Sequence, residues 1–299
     1  MTKPRSHYVN YEEVNIYHLT TRTTRRSWLF GIDPLTGRNH NHRKDVLINR
    51  LKHLTKYFSV KIMGYSIMSN HFHLVARYDP TEARSWSDEE VARRWCAVFN
   101  GRPFTESHLG ADRVDDFIFR QKLKYHEILA DADRLERCRN ALGSLSHFMQ
   151  HLKQPFAVWA NHEDDCKGHF FESRFYSGIL LSKSDLLACM AYVDLNPVEA
   201  NMADTLREAK HTSVHERMSE YRFNADDMEA YLAPLWVVSS KEAEIRISVR
   251  EYVEQLNLWI AYKIEPAAAL LDRMESWMAR LVNRERSKTK IPAPFFDYP

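Results

Sequence analysis

Two histidines separated by one residue, His71 and His73, stand in the stretch Gly64–Arg77, which reads as strand, short link and strand. Side chains alternate faces along a strand, so His71 and His73 project to one side while Phe72 and Leu74 project to the other. Two imidazoles on one face can share a metal ion. The run Val60–Ile67 is also strand-like, and the polar pair Ser69-Asn70 is the kind of link that joins antiparallel neighbours, so residues 59 to 78 read as a hairpin. The plain alternative is a pair of half-buried sheet histidines with no chemical role, and a lone His-x-His does not decide between the two.

A second half-site lies far along the chain, in Ser184–Val198. Ser182 or Ser184 can cap the start of a helix there, and Pro197 predicts its stop, because proline disfavours the helical region for the residue before it. Tyr192 and Asn196 are four apart and share a face of that helix. Tyr192 could equally be a core aromatic, and Asn196 a cap before the proline.

The set His71-Phe72-His73 followed by Tyr192-Val-Asp-Leu-Asn196-Pro-Val resembles the HUH single-tyrosine transposases, in particular the relatives of the REP-associated tyrosine transposases. The resemblance runs from about Asn15 to about Ala203 and includes Gly168–Tyr176, similar to the family's Phe-Trp-x-x-Arg-Phe/Tyr stretch. It implies that His71 and His73 are metal ligands, that Asn196 is a third ligand, and that Tyr192 is the nucleophile toward single-stranded DNA. It further implies a 5′-phosphotyrosine intermediate, hairpin-forming targets, Mg or Mn as cofactor, and a homodimer in which the tyrosine helix serves either its own subunit or the other. Ligand type alone points elsewhere, since imidazoles suit Zn, Ni or Mn better than Mg.

The chemistry asks for these residue types. Transesterification at a phosphodiester needs a nucleophile, neutralisation of charge on the phosphoryl oxygens, and stabilisation of the leaving oxygen. A phenol with an ordinary pKa of about 10 requires activation by a nearby cation or base. Arg22, Arg25 and Arg26 after the first strand, and Arg174 ahead of the tyrosine helix, are candidate phosphate contacts, with ordinary surface charge as the alternative. Trp28, Trp86, Phe175 and Tyr176 are candidate base-stacking groups, with a core role the expected one for most of them, and Tyr176 is the rival nucleophile; it lacks a ligand type four residues on. Two other classes stay open. One is a domesticated nucleic-acid-binding regulator with the same fold and no catalysis; the other is a metal-dependent hydrolase that uses water.

The elements that must position these groups follow from periodicity. Val14–Thr21 alternates as a strand, 31 to 37 carries turn formers, and Arg43–Phe58 has apolar residues at helical spacing. With the hairpin, this order predicts an α+β fold: a ferredoxin-like antiparallel sheet with helices on one face. Helices are also expected over Ser87–Asn100 and Leu142–Trp159, the latter kinked or divided at Pro155, and a last strand over Phe170–Leu181. Residues 104 to 141 are charged and receive no function. Beyond Asn201 the pattern is helical over Ala225–Leu232, Glu242–Tyr262 and Pro266–Arg286, with a basic end from Arg280 to Lys290. This divides the chain into a catalytic domain, 1 to 215, and a helical accessory region, 216 to 299.

Composition bounds the rest. The 299 residues are 44% hydrophobic, enough for a substantial core. The net charge of +2 hides a basic first 60 residues, with eleven Lys or Arg against four Asp or Glu, a possible phosphate-binding surface. Cys96, Cys138, Cys166 and Cys189 form no Cys-x-x-Cys pair, so a reducing, cytoplasmic setting is expected. No stretch reaches the roughly 20 apolar residues of a membrane span, and no membrane association is expected.

Overall fold

The computed structural model describes residues 13–99, 111–220, 236–239, 242–247 and 249–261. Strands β1 (Asn15–Arg22), β2 (Val60–Ile67), β3 (His71–Tyr78) and β4 (Tyr176–Leu180) form one antiparallel sheet in the order β2-β3-β1-β4. Helix α1 (His42–Thr55) links β1 to β2, and β2 and β3 make the expected hairpin across Met68-Ser69-Asn70. This is the antiparallel sheet with helices predicted from the order of elements.

Alternation sorts the side chains of the two central strands. Tyr17, Leu19, Phe72, Leu74 and Ala76 enter a core with Leu47, Leu51 and Leu54 of α1 and Phe148, Leu152 and Phe156 of α6 (Leu145–Glu163). The expected helices on one face are therefore α1 and α6. A further helix, α7 (Lys183–Glu199), comes to the opposite face, because that face is not wholly polar: Ile16, Met63, Val75 and Leu180 would otherwise meet water. Leu186, Leu187, Met190 and Ala191 cover them.

Several boundaries differ from expectation for identifiable reasons. The last strand spans only Tyr176–Leu180, since Phe170 and Phe171 turn into the first core, where Phe170 meets Phe30, Phe156 and Phe171 edge-on. Helix α6 continues through Pro155 undivided. Proline has no N–H for the His151 carbonyl one turn back, and Arg50 Nε supplies a replacement donor at 3.1 Å. Helix α7 likewise runs past Pro197 to Glu199. Its end is set instead by Asn201 at φ 53, a left-handed termination, with Asn201 N donating to Val198 O at 3.0 Å.

The charged stretch left without assignment contains α4 (Ala111–Ala130) and α5 (Ala132–Leu142), which pack on α3 (Asp88–Phe99); a short helix, α2 (Glu82–Ser85), precedes α3. Helix α8 (Ser213–Glu220) follows α7. Residues 242 to 262 are not one helix: β6 (Glu242–Arg246) pairs with β5 (Trp236–Ser239), and α9 begins at Val249 and ends at Ala261. Ala243, Ile245 and Ile247 recur at a period of two, which suits a strand. Tyr252, Leu256 and Trp259 of α9 are buried in the second core beneath α7. The expected helices at Ala225–Leu232 and Pro266–Arg286, the basic end from Arg280 to Lys290, and the tail before residue 13 lie outside the described residues.

Candidate active site on the polar half of the sheet

The register of β1 against β3 assembles the site. Thr20 pairs with His73 and Arg22 with His71, so His18, Thr20, Arg22, His71 and His73 emerge on the same face. This face is apolar toward Ile16 and Val75 and polar toward Arg22 and His71. Helix α7 spans the apolar half and carries Tyr192 to its border with the polar half.

His71 and His73 converge, with ring centroids 4.9 Å apart and planes at 86°. Each imidazole is held at Nδ1. Asn70 Oδ1 lies 2.7 Å from His71 Nδ1, which donates to it. His73 Nδ1 is 2.8 Å from His18 Nε2 and 3.2 Å from Thr20 Oγ1. The Asn70 oxygen holds the His71 proton on Nδ1 and leaves the His71 lone pair at Nε2, while His73 Nδ1 shares a polar cluster with His18 and Thr20. Tyr192 stands edge-on to this pair: its ring centroid is 5.5 Å from that of His73 and 6.1 Å from that of His18.

Burial sets the charge of the site. Desolvation, reinforced by the Arg22 cation, lowers His71 to about 4. Desolvation lowers His73 to about 3, with His18, His71 and Arg22 adding to the effect. His18 is lowered by desolvation as well. All three are neutral near pH 7, the form in which an imidazole can accept a proton or ligate a cation.

The remaining predicted residues are placed unevenly. Asn196 sits one turn beyond Tyr192, half-buried, and no hydrogen bond joins its amide to His71 or His73. Arg22 is exposed beside the imidazoles. Arg25 and Arg26 are exposed on the following turn, both at positive φ (52 and 54), and Asn70 Nδ2 donates to the Arg26 carbonyl at 3.2 Å. That bond ties the arginine turn to the link before His71. Arg174 is exposed, and its carbonyl accepts from Lys153 Nζ at 2.8 Å.

Among the stacking candidates, Trp86 is engaged by Arg94, whose guanidinium carbon lies 4.1 Å from the ring centre, and Phe175 packs on the first core. Trp28 and Tyr176 remain exposed. Tyr176 pairs with Thr20 and so shares the imidazole face, with 65% of its surface open to solvent. Sequence reasoning missed His18 and Thr20. The signal was present, since His18, Thr20 and Arg22 are the polar alternates of a strand whose other face is Tyr17, Leu19 and Thr21.

Among the described residues, no group of three or more His, Cys, Asp or Glu side chains is placed to hold a metal ion. The donor set nonetheless suits part of a divalent-metal site, because His71 and His73 present two neutral imidazoles whose Nδ1 atoms are held from behind. Further ligands would have to come from Asn196, substrate or water.

Behind Tyr192 the same helix is anchored by Asp194, which is fully buried. Its carboxylate accepts from Ser213 Oγ at 2.7 Å, Val214 N at 2.9 Å and Tyr252 Oη at 2.9 Å. Burial raises the Asp194 carboxyl, opposed by these hydrogen bonds and by the nearby Arg217 cation. Ser213 Oγ in turn accepts from Tyr65 N at 3.0 Å, and Arg217 donates to the carbonyl of Met63, where the β2–β3 register shifts. Tyrosine helix, sheet bulge and α9 are joined in one buried network.

The fold and face together define an α+β protein with a ferredoxin-like sheet that carries imidazoles and a phenol on one surface. No protein-family model matches the chain, and no curated protein matches it. Among solved structures it is similar to one described as "Structure of the REP associates tyrosine transposase bound to a REP hairpin". That similarity has a TM-score of 0.42 at 12% identity and covers 83% of this chain and 99% of the other. Among the described residues, no helix is long and apolar enough to cross a membrane.

Proposed function

We propose that the protein cuts and rejoins single-stranded DNA by transesterification, with Tyr192 as nucleophile. The observation that carries this reading is the placement of the Tyr192 ring against His73 and His18, on the face that also bears His71 and Arg22. A phenol packed on core alone would need no such company. The resemblance of the His71-Phe72-His73 and Tyr192–Val198 motifs to HUH single-tyrosine transposases supports the same reading and suggests hairpin-forming DNA as the target.

In this mechanism Tyr192 Oη attacks phosphorus, a tyrosyl O–P bond forms, and the bond to the 3′-oxygen breaks. The phenolic proton leaves Tyr192 and a proton is taken up by the departing 3′-oxygen, so the DNA ends as a 5′-phosphotyrosine and a free 3′-hydroxyl. The phosphodiester count is unchanged, and the same or another 3′-hydroxyl can reverse the step. Arg22 offsets charge on the non-bridging oxygens, aided by Arg25 and Arg26 along the strand. Thr20 and His18 hold the His73 ring, and Asn70 holds that of His71. When bound by His71 and His73, Mg or Mn would supply Lewis-acid polarisation of the phosphate.

The test is covalent capture. Wild-type protein, a single-stranded hairpin oligonucleotide labelled downstream of the cut, and Mg or Mn should give a labelled protein band that resists denaturant; Tyr192→Phe should give none while still binding the oligonucleotide. An adduct that survives in Tyr192→Phe and vanishes in Tyr176→Phe would move the nucleophile to β4. No adduct with wild-type protein on any such substrate would favour a nucleic-acid-binding regulator. Cleavage without adduct would favour a hydrolase.

A further inference from the structure

Helices α4 and α5 build a second concave surface, remote from the imidazoles. Together with α2, α3 and the end of β3 they enclose a cleft of about 820 Å³. Its rim carries Arg84, Lys124, Arg134, Arg137 and Arg139; Arg134 is paired with Glu127 and Arg139 with Glu136, both at 3.3 Å, so the rim is basic but partly compensated. Arg139 is part of the frame: it donates to the carbonyls of Ala83 at 3.1 Å and Trp86 at 2.5 Å and pairs with Asp88 at 2.6 Å. Tyr78 is fixed at the base, donating from its hydroxyl to the Gly143 carbonyl at 2.7 Å. Lys124, from α4, and Arg134 and Arg137, from α5, line this one cleft.

Such an arrangement suits an anion with an apolar portion. Trp95 and Ala141 line the cleft beside the cations, and the volume is nucleotide-sized, so a duplex could touch only the rim. The cleft is also separate from the reacting centre. Tyr78 follows His73 by five residues on β3 and faces the other side of the sheet, a path of about 17 Å along the strand. A phosphate held here is not the one Tyr192 attacks.

We propose that this cleft binds the phosphodiester backbone of single-stranded DNA outside the reacting segment, with Lys124, Arg134 and Arg137 as the phosphate contacts. The proposal rests on the reading of the Tyr192 face as a single-stranded DNA site. On this account the charged stretch between α3 and α6 extends the footprint of the protein on the strand.

Anisotropy titrations of the full chain would use a long single-stranded oligonucleotide and one of six nucleotides, at several salt concentrations. Lys124→Gln with Arg137→Gln should weaken long-oligonucleotide binding about tenfold at low salt. Loss of two contacts should flatten the plot of log affinity against log salt by about 1.4, at roughly 0.7 per phosphate on single strands. The short oligonucleotide, and the yield of the Tyr192 adduct on it, should not change. Lys124→Arg with Arg137→Lys retains charge and should bind like wild type; if it instead fails as badly as the Gln pair, the effect is one of packing and the proposal falls. Unchanged long-oligonucleotide binding, equal weakening on both lengths, or stoichiometric binding of a mononucleotide with no response of the long strand would each overturn it. Absence of the adduct in wild-type protein alongside a length-dependent defect would overturn the nucleophile assignment and leave the cleft as a strand-binding site.

Discussion

Tyr192 and Asp194 are two residues apart on α7 and live in opposite environments. Tyr192 is half-buried against neutral imidazoles at the border of an open polar surface, while Asp194 is sealed beneath the helix by Ser213, Val214 and Tyr252. Residues two apart on a helix are rotated about 200° round its axis and so point about 160° apart, which lets one helix expose a phenol on one side and be fastened on the other. The two sides divide the labour. The anchored side has no freedom to spare, because a buried carboxylate must keep every partner; the open side keeps a phenol near solvent, beside neutral imidazoles.

Substitutions at the two poles should have opposite consequences. Tyr192→Phe is expected to remove all covalent attachment, a drop of at least about 1,000-fold, with a melting temperature close to that of wild type, as read by labelled-oligonucleotide capture and calorimetry. Asp194→Ala should do the reverse. It strips three donors of their acceptor in a fully buried network, which is expected to cost about 3–5 kcal/mol in urea unfolding. A Tyr192→Phe protein that unfolds as readily as Asp194→Ala would erase the distinction.

Acid titration separates the two sides further. His18, His71 and His73 are lowered in the folded chain, His71 to about 4 and His73 to about 3, against an ordinary value of 6.5. Between those values the unfolded chain binds more protons than the native one, so stability rises with pH up to about 6.5 and is flat above it on their account. Asp194 works the other way, since its raised carboxyl favours the native state while protonated and loses that advantage as pH rises. His151, lowered to about 4 chiefly by burial, acts in the same direction as the three imidazoles. Urea midpoints should therefore be lower at pH 4.5 than at pH 7, and an unchanged midpoint would mean that the imidazoles are not desolvated.

Smaller effects map the anchoring. Tyr252→Phe removes one hydrogen bond to Asp194 and should cost about 1–2 kcal/mol, which would show by denaturant unfolding that the region after residue 216 contributes to the seat of the tyrosine helix. Ser182→Ala removes the capping box that Ser182 forms with Asp185 and should cost about 1 kcal/mol.

Some of this was legible in the residues alone, for reasons of local geometry. Period-two alternation places His71 and His73 on one face whatever the sheet around them, the β2–β3 hairpin follows from two apolar runs and a polar link, and a helical turn aligns Tyr192 with Asn196. The start of α7 was legible as Ser182 or Ser184, and the capping box with Asp185 decides for Ser182. These are short-range rules, and a sequence carries them in adjacent positions. The tertiary structure decided what depends on partners far along the chain. His18 and Thr20 join His73 only through the β1–β3 register, which packing of Tyr17, Leu19, Phe72 and Leu74 into a common core selects. Pro155 and Pro197 read as breaks because proline lacks a donor, yet Arg50 reaches the orphaned His151 carbonyl from α1, and α7 is held through its proline by the cover it gives to Met63 and Val75. Asp194 read as one more polar residue in a motif. Its burial comes from Ser213 and Tyr252, 19 and 58 residues away, and no local pattern encodes a contact at that range.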